Sequence, residues 1–239
     1  MNGLGRTFLI YGASRGLGKA IVNLVPEAQD KVYGVSRSIP KNNAQLNWIC
    51  ADLSTPEDAV DKVKKAVKEE KIDVLIYNVG IWENNAFTEN YNFEEVSSAE
   101  LNTILNTNIN TCIQSLQSLI ENLKLSDNAK VILIGSTWDV DNHNGKELVF
   151  SATKYALRGI AQSLREILRN DLIGVSVLNL GYLATEYEAD VPTATVVAET
   201  KHTVIPLSDV ILAIKFIIST SNASCVKEIL MPAMKDENI

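Results

Sequence analysis

The chain has 239 residues, 46% of them hydrophobic, with 22 Lys and Arg against 29 Asp and Glu, a net charge of −7. That size and apolar fraction suit one domain, 1–239, with a substantial core, and the acidic balance argues against a non-specific nucleic-acid binder, which needs a basic face. No stretch approaches the ~20 unbroken apolar residues of a membrane span, and the best run, 210–218, contains Lys215 and follows Asp209. Cys50, Cys112 and Cys225 are scattered without a Cys-x-x-Cys pair, and the two histidines, His143 and His202, lie far apart. They read as reduced thiols and as surface or structural imidazoles rather than a metal site. An untargeted, soluble, cytoplasmic protein is the expectation.

Along the chain, short β-rich runs alternate with longer amphipathic stretches. The spacing predicts strands at 7–11, 31–35, 46–50, 74–77, 131–134, 175–180 and 228–231. Most are continuous apolar runs, as in a parallel sheet covered on both faces. Helices are predicted at 18–25, 56–70, 99–123, 151–170 and 207–219. The second has Ser54 and Thr55 as candidate caps and Pro56 in its first turn. This alternation predicts an α/β, Rossmann-type doubly wound sheet of about seven parallel strands, with helices on both faces.

Gly12-Ala13-Ser14-Arg15-Gly16-Leu17-Gly18 follows the first strand and opens the first helix. Small residues there allow a tight turn and let a pyrophosphate sit on the helix N-terminus. The second strand ends Val35-Ser36-Arg37. An NAD site usually places a carboxylate near that point, whereas an NADP site favours a cation for the 2′-phosphate. Arg37 and Arg15 can bracket such a phosphate from two sides, which suits guanidinium geometry. NADP(H) is the expected cofactor.

These residues resemble the short-chain dehydrogenase/reductase family over nearly the whole length. Asp52-Leu53 looks like the pair that lines the adenine pocket. Asn78-Val79-Gly80 resembles the Asn-Ala-Gly segment. Asn108, Ser136 and Lys154 match the catalytic asparagine, the serine and the lysine of Tyr-x-x-x-Lys. Gly181-Tyr182-Leu183-Ala184-Thr185 looks like Pro-Gly-x-x-x-Thr, with Leu180 in place of the proline. Two departures are minor: Leu180, and Tyr77 where the family often has an asparagine. The third is not: Phe150 stands where the family has its tyrosine.

The resemblance implies hydride transfer between a nicotinamide and a carbonyl or carbinol carbon, as in a carbonyl reductase or alcohol dehydrogenase. It implies that Ser136 binds the substrate oxygen. Lys154 would hold the nicotinamide ribose and lower a phenol's pKa, and Asn108 would hold a water linking Lys154 to solvent. Phe150 keeps the ring and loses the proton donor. Three explanations fit. An engineered or recent Tyr-to-Phe change in a working enzyme is one. A natural NADP(H)-binding regulator or non-redox homologue is another. In the third a different acid serves: Tyr182 first, then Glu147, with Tyr155 discounted because it points about 100° around the helix from Lys154.

Candidate substrate walls are 81–98, with Trp82, Phe87, Tyr91 and Phe93 among Glu83, Asn84, Asn85 and Glu94, and 182–202, with Trp138 behind Ser136. Such aromatics fit an apolar or ring-bearing carbonyl substrate. The resemblance also implies helix pairing across subunits at 99–124 and 151–170, and a homodimer or homotetramer. Leu116, Leu119, Leu157, Ile160, Leu164 and Ile167 are the candidate interface residues. The last strand lacks the glycine-rich ending of many relatives.

Overall fold

A computed structural model describes residues 5–40, 46–140, 143–188 and 190–237. Seven parallel strands form one sheet: β1 (Thr7–Tyr11), β2 (Lys31–Ser36), β3 (Asn47–Cys50), β4 (Val74–Tyr77), β5 (Lys130–Ile134), β6 (Gly174–Leu180) and β7 (Glu228–Met231). Their spatial order is β3-β2-β1-β4-β5-β6-β7. The order reverses between β1 and β4, which opens a crevice at the carboxyl ends of those strands. All seven predicted strands are present to within one residue at each end.

The central strands are buried at every position. That is why they carry continuous Val, Ile, Leu and aromatic side chains rather than an alternating pattern. On one face lie α2 (Pro56–Val67), α4 (Thr111–Lys124) and α5 (Leu148–Ile167), packed on Leu9, Tyr11, Leu75, Tyr77, Val131 and Leu133. On the other lie α1 (Gly16–Leu24) and α7 (Leu207–Ser219), packed on Phe8, Ile10, Ile76 and Ile132. Alternate residues of each strand thus feed alternate layers.

The structure departs from the sequence pattern at four places. The helix expected over 99–123 is α3 (Ser98–Leu105) and α4 joined by a π-helical turn, Asn106–Asn110. Helix α5 begins three residues earlier than expected, so Phe150 lies in its first turn. Neither Ser54 nor Thr55 caps α2 with its side chain; the Thr55 hydroxyl instead donates to the Asp52 carbonyl at 2.9 Å. A short helix, α6 (Thr193–Thr200), was not expected, because three of its eight residues are threonine and two are valine.

Of the six apolar residues assigned to an intersubunit face, Leu116, Leu119, Leu157 and Leu164 are buried in this chain's own core. The surplus is therefore smaller than the sequence suggested. Ile167, at 64% exposed, is the member of that set most open to solvent.

Leu119 is fully buried between α4 and the sheet. Leu119→Ala should cost about 2–5 kcal/mol by lost transfer and a residual cavity. Urea unfolding should show a lower midpoint with an unchanged slope.

Candidate active site

Gly12 follows β1 at φ +70, and a Cβ there would lie 2.1 Å from the Asn78 carbonyl oxygen. A Cβ at Gly18 would lie 1.9 Å from the Gly12 carbonyl oxygen. Only glycine permits this turn and this approach of β1, α1 and β4. Asn78 closes the corner by donating from Nδ2 to the Gly12 carbonyl at 3.3 Å. Helix α1 then starts with Arg15 extended at its N-cap, no side-chain cap and no acid in its first turn. Its first N–H groups and the positive end of its dipole are therefore left for an anion. Ser14 is half-buried in this loop, and Leu17 is buried beneath it.

Arg37, just past β2, and Arg15 are both exposed, and among the described residues neither closes an ion pair. Ser36 donates its hydroxyl to the Ser38 carbonyl at 2.6 Å, which shapes the turn carrying Arg37. The Asp52 carboxylate accepts from the Ser54 N–H and hydroxyl, which hold it below its usual range; the Arg37 charge adds to this. Buried Leu53 accepts at its carbonyl from the Thr111 hydroxyl, 2.6 Å away. Across the crevice, Gly181 is tied to β7 through the Met231 carbonyl, and Leu183 bridges to Ile205. Thr185 faces Gly16, its Cγ2 being 3.4 Å from where a Cβ on Gly16 would lie. The cofactor-site residues expected from sequence thus converge at the carboxyl end of the sheet.

Lys154 is 4% exposed. Its ammonium donates to the Ile134 carbonyl at 3.0 Å and the Val79 carbonyl at 3.4 Å, and lies 5.4 Å from the centroid of the Phe150 ring. A Cβ at Gly80 would lie 2.9 Å from Nζ, so the glycine makes room for the lysine. Burial pulls the Lys154 ammonium down to about 8, and the charge of Asp139 opposes that shift. Ser136 lies two residues past β5 and accepts at its hydroxyl oxygen from the Trp138 backbone N–H at 3.2 Å.

Asn108 sits in the π turn, a feature often found at functional sites. Its side chain accepts from the Ile81 N–H at 2.9 Å and donates to the Ile81 carbonyl at 2.8 Å and the Thr153 hydroxyl at 3.0 Å. Its side-chain oxygen and nitrogen thus both bond to protein groups. What Asn108 does is clamp the segment beside Gly80 to α5.

Phe150 is 7% exposed and packs edge-on against Trp82, Phe87 and Trp138. Tyr182 is half exposed and reaches this cluster through Phe87, and burial raises its phenol above the usual range. Tyr155 faces away, next to His143. His143 stacks on Trp138 and lies 3.2 Å from the Ser151 hydroxyl. Among the described residues no group of three or more potential ligands could hold a metal, and no helix is long and apolar enough to cross a membrane.

Three buried carboxylates matter here, and sequence reasoning either missed or misassigned them. Glu83 accepts from the N–H groups of Val149 and Phe150 and from the Tyr91 hydroxyl, so it caps α5 from 66 residues away. Glu147, considered above as a substitute acid, accepts from the Phe87 N–H at 2.6 Å and the Lys146 N–H at 3.1 Å. Asp139 ends the short turn after Ser136 and is fully buried, and neither carboxylate oxygen has a hydrogen-bond partner among the described residues. Burial pushes its carboxyl up to about 7. Its position three residues past Ser136 was the sequence signal for it.

A sequence profile of the short chain dehydrogenase family matches residues 6–195. The 3-oxoacyl-acyl-carrier-protein reductase FabG of Escherichia coli (strain K12) is 26% identical over 196 residues, which is 78% of this chain and 77% of that protein. A short chain dehydrogenase from Leptospira borgpetersenii, solved with bound NAD+, superposes with a TM-score of 0.76 at 19% identity, over 96% of this chain and 91% of that one. A Tyr-to-Phe variant of ElxO, solved with NADPH bound, superposes with a TM-score of 0.75 at 18% identity, over 95% and 96% of the two chains. These structural likenesses establish the fold.

Asp139 gives a stability prediction. Its carboxyl ionises near 3.8 when unfolded and about 7 when folded. Between those values the folded chain keeps a proton that the unfolded chain has released, so stability falls as pH rises through this window. Asp139→Asn cannot ionise and should flatten the decline, which is on the order of 2 kcal/mol in the wild type. Thermal melts from pH 4 to 8 would show it; parallel profiles for the two proteins would refute the assignment.

Proposed function

The chain belongs to the short chain dehydrogenase family, and on that premise we propose that residues 1–239 form one NADP(H)-dependent oxidoreductase of carbonyl reductase or alcohol dehydrogenase type, slowed at proton transfer by Phe150. The observation that carries this is the pairing of an uncapped, acid-free α1 N-terminus with Arg15 and Arg37, two guanidinium groups outside any described ion pair.

The residues fit a dinucleotide. Gly12, Ser14, Gly16, Leu17 and Gly18 supply the pyrophosphate cradle. Ser36, Arg37 and Arg15 receive the 2′-phosphate. Asp52 and Leu53 flank the adenine. Asn78, Val79 and Gly80 back the nicotinamide riboside, and Gly181, Leu183 and Thr185 cover its other side. When bound, such a cofactor supplies or accepts the hydride. Lys154 donates from its ammonium to the ribose hydroxyls. Ser136 donates its hydroxyl to the substrate oxygen. Asn108 fixes the backbone on which both act.

Phe150 supplies packing and no proton. General acid catalysis by one group is worth roughly 10²–10⁴-fold, about 3–5 kcal/mol. Arg37 favours NADP(H) over NAD(H), although relatives solved with either cofactor share the fold. A second reading, a catalytically silent NADP(H)-binding regulator, is favoured by the closed aromatic packing around Phe150. The acidic chain is proposed to act in the cytoplasm on a small carbonyl or alcohol, as a homodimer or homotetramer.

Two experiments test the proposal. Phe150→Tyr should raise NADPH oxidation with a panel of aldehydes and ketones at least roughly tenfold, with unchanged NADPH affinity. If both forms bind NADPH and neither turns over, the regulator reading replaces the enzyme. Arg37→Ala should weaken NADPH binding by about 10–100-fold, as expected for lost charge-assisted hydrogen bonds, and leave NADH binding nearly unchanged. Equal losses for both cofactors would remove Arg37 from the 2′-phosphate site.

A further inference from the structure

The hydride and proton residues leave one feature of the site unused. Phe87 lies at the centre of an aromatic cage. Its ring is edge-on to Trp138 at 5.1 Å between centroids, Trp82 at 5.4 Å, Phe150 at 5.7 Å and Tyr182 at 6.1 Å. Edge-to-face contact at such distances is the favoured arrangement of aromatic pairs. The walls come from four separate parts of the chain: the loop after β4, the turn after β5, the first turn of α5 and the loop after β6. The cage as built is complementary to a phenyl ring, and the ring it holds is the chain's own.

Two walls belong to the chemical end of the site. Phe150 carries the Lys154 ammonium 5.4 Å from its ring centroid. Trp138 donates its N–H to the Ser136 hydroxyl oxygen. A ring in the place of Phe87 would therefore touch the two residues that contact these polar groups.

Phe87 is also held differently from its neighbours. Its φ is +63, and that of Asn85 is +59. Non-glycine residues, aromatic ones above all, adopt this left-handed region only at a cost. Its N–H is fixed by the buried Glu147 carboxylate at 2.6 Å. Its side chain remains 36% exposed, whereas Trp138 and Phe150 are 5% and 7% exposed. Trp82 at 52% and Tyr182 at 39% are more open still, but Phe87 is the partly exposed member whose backbone is strained, and so the one that can leave.

We infer that this cage sets substrate specificity. It takes a flat, phenyl-sized apolar group borne on the carbonyl or carbinol carbon, and Phe87 keeps that place until the substrate displaces it. Exchange of one ring for another preserves the edge-on contacts and releases the left-handed backbone. An aliphatic chain cannot reproduce those contacts. The inference rests on the oxidoreductase reading above.

The probes are acetophenone and 2-octanone, which have equal numbers of carbon atoms. Each is titrated by calorimetry into the wild-type chain, Phe87→Ala and Phe87→Gly, with NADPH titrated into the same three proteins. Glycine accepts the positive φ, so it keeps the loop where alanine strains it. Acetophenone should bind both variants about tenfold tighter than it binds wild type, and about tenfold tighter than 2-octanone, a difference one or two aromatic pairs can supply. Equal affinities, a preference for 2-octanone, or no acetophenone binding to either variant would overturn the aromatic class. Weaker acetophenone binding by both variants would overturn displacement and make Phe87 a fixed wall. The cofactor titration separates the two readings. A wild-type chain that binds no NADPH sinks the oxidoreductase, while the ketone titrations still decide the cage.

Discussion

The arrangement of this site follows from burying one ammonium group without a hydrogen-bonded carboxylate. Taking the Lys154 charge out of water is expensive unless its donors are met. The fold meets two of its three donors with the carbonyl groups of Val79 and Ile134, at or just past the carboxyl ends of β4 and β5. The Phe150 ring and the more distant Asp139 charge add favourable electrostatics. This pins α5 to the sheet next to the crevice and requires a glycine at 80. The segment 78–81 is then gripped twice, by Lys154 at Val79 and by Asn108 at both backbone groups of Ile81. The same segment reaches back through Asn78 to the glycine turn at Gly12. The glycine turn and the Lys154 end of the crevice are therefore joined through this one segment.

The start of α5 is the second fixed point. Glu83 satisfies the free N–H groups of Val149 and Phe150 and places a negative charge on the positive helix end. Glu147, just before the helix, holds the Phe87 N–H. Both carboxylates are buried, and each joins the loop after β4 to this helix. The aromatic cage is thus a consequence of helix capping: the groups that complete the hydrogen bonding of α5 also bring Trp82 and Phe87 over Phe150.

How much of this was legible in the sequence depended on whether the signal was local. Strands β1 and β4 could be read because burial on both faces demands uninterrupted apolar residues. The glycine loop could be read because a tight turn followed by a helix needs that residue at those spacings. Lys154, Ser136 and Asn108 were found by resemblance, and the structure brings them to one end of the sheet. What could not be read was set by partners far along the chain. Nothing near Leu148 announces that the helix begins there, because its cap is Glu83. Nothing in Asn106–Asn110 distinguishes a π turn from an α turn, because Asn108 is drawn to Ile81 by tertiary hydrogen bonds. Leu116 and Leu157 looked like surplus apolar surface because the depth of the sheet's own core is not visible in helical periodicity. Asp139 was overlooked because its burial, not its identity, makes it unusual.

A phenylalanine at position 150 makes physical sense within this frame. A phenyl ring there keeps its edge-on contacts with Trp82, Phe87 and Trp138 and its face toward the Lys154 ammonium. Losing a hydroxyl leaves no buried donor or acceptor behind on residue 150, so the packing itself exacts little penalty. The deficit on the proposed reading is chemical. The Ser136 hydroxyl is an alkyl alcohol and a far weaker acid than a phenol. A charged lysine can lower the pKa of a phenol close to it, but residue 150 offers none. The binding apparatus and the electrostatics of Lys154 are thus retained without the group they would act upon. That separation is why cofactor affinity and turnover, measured on the same protein, are the two quantities that distinguish a slowed reductase from a nucleotide-binding regulator.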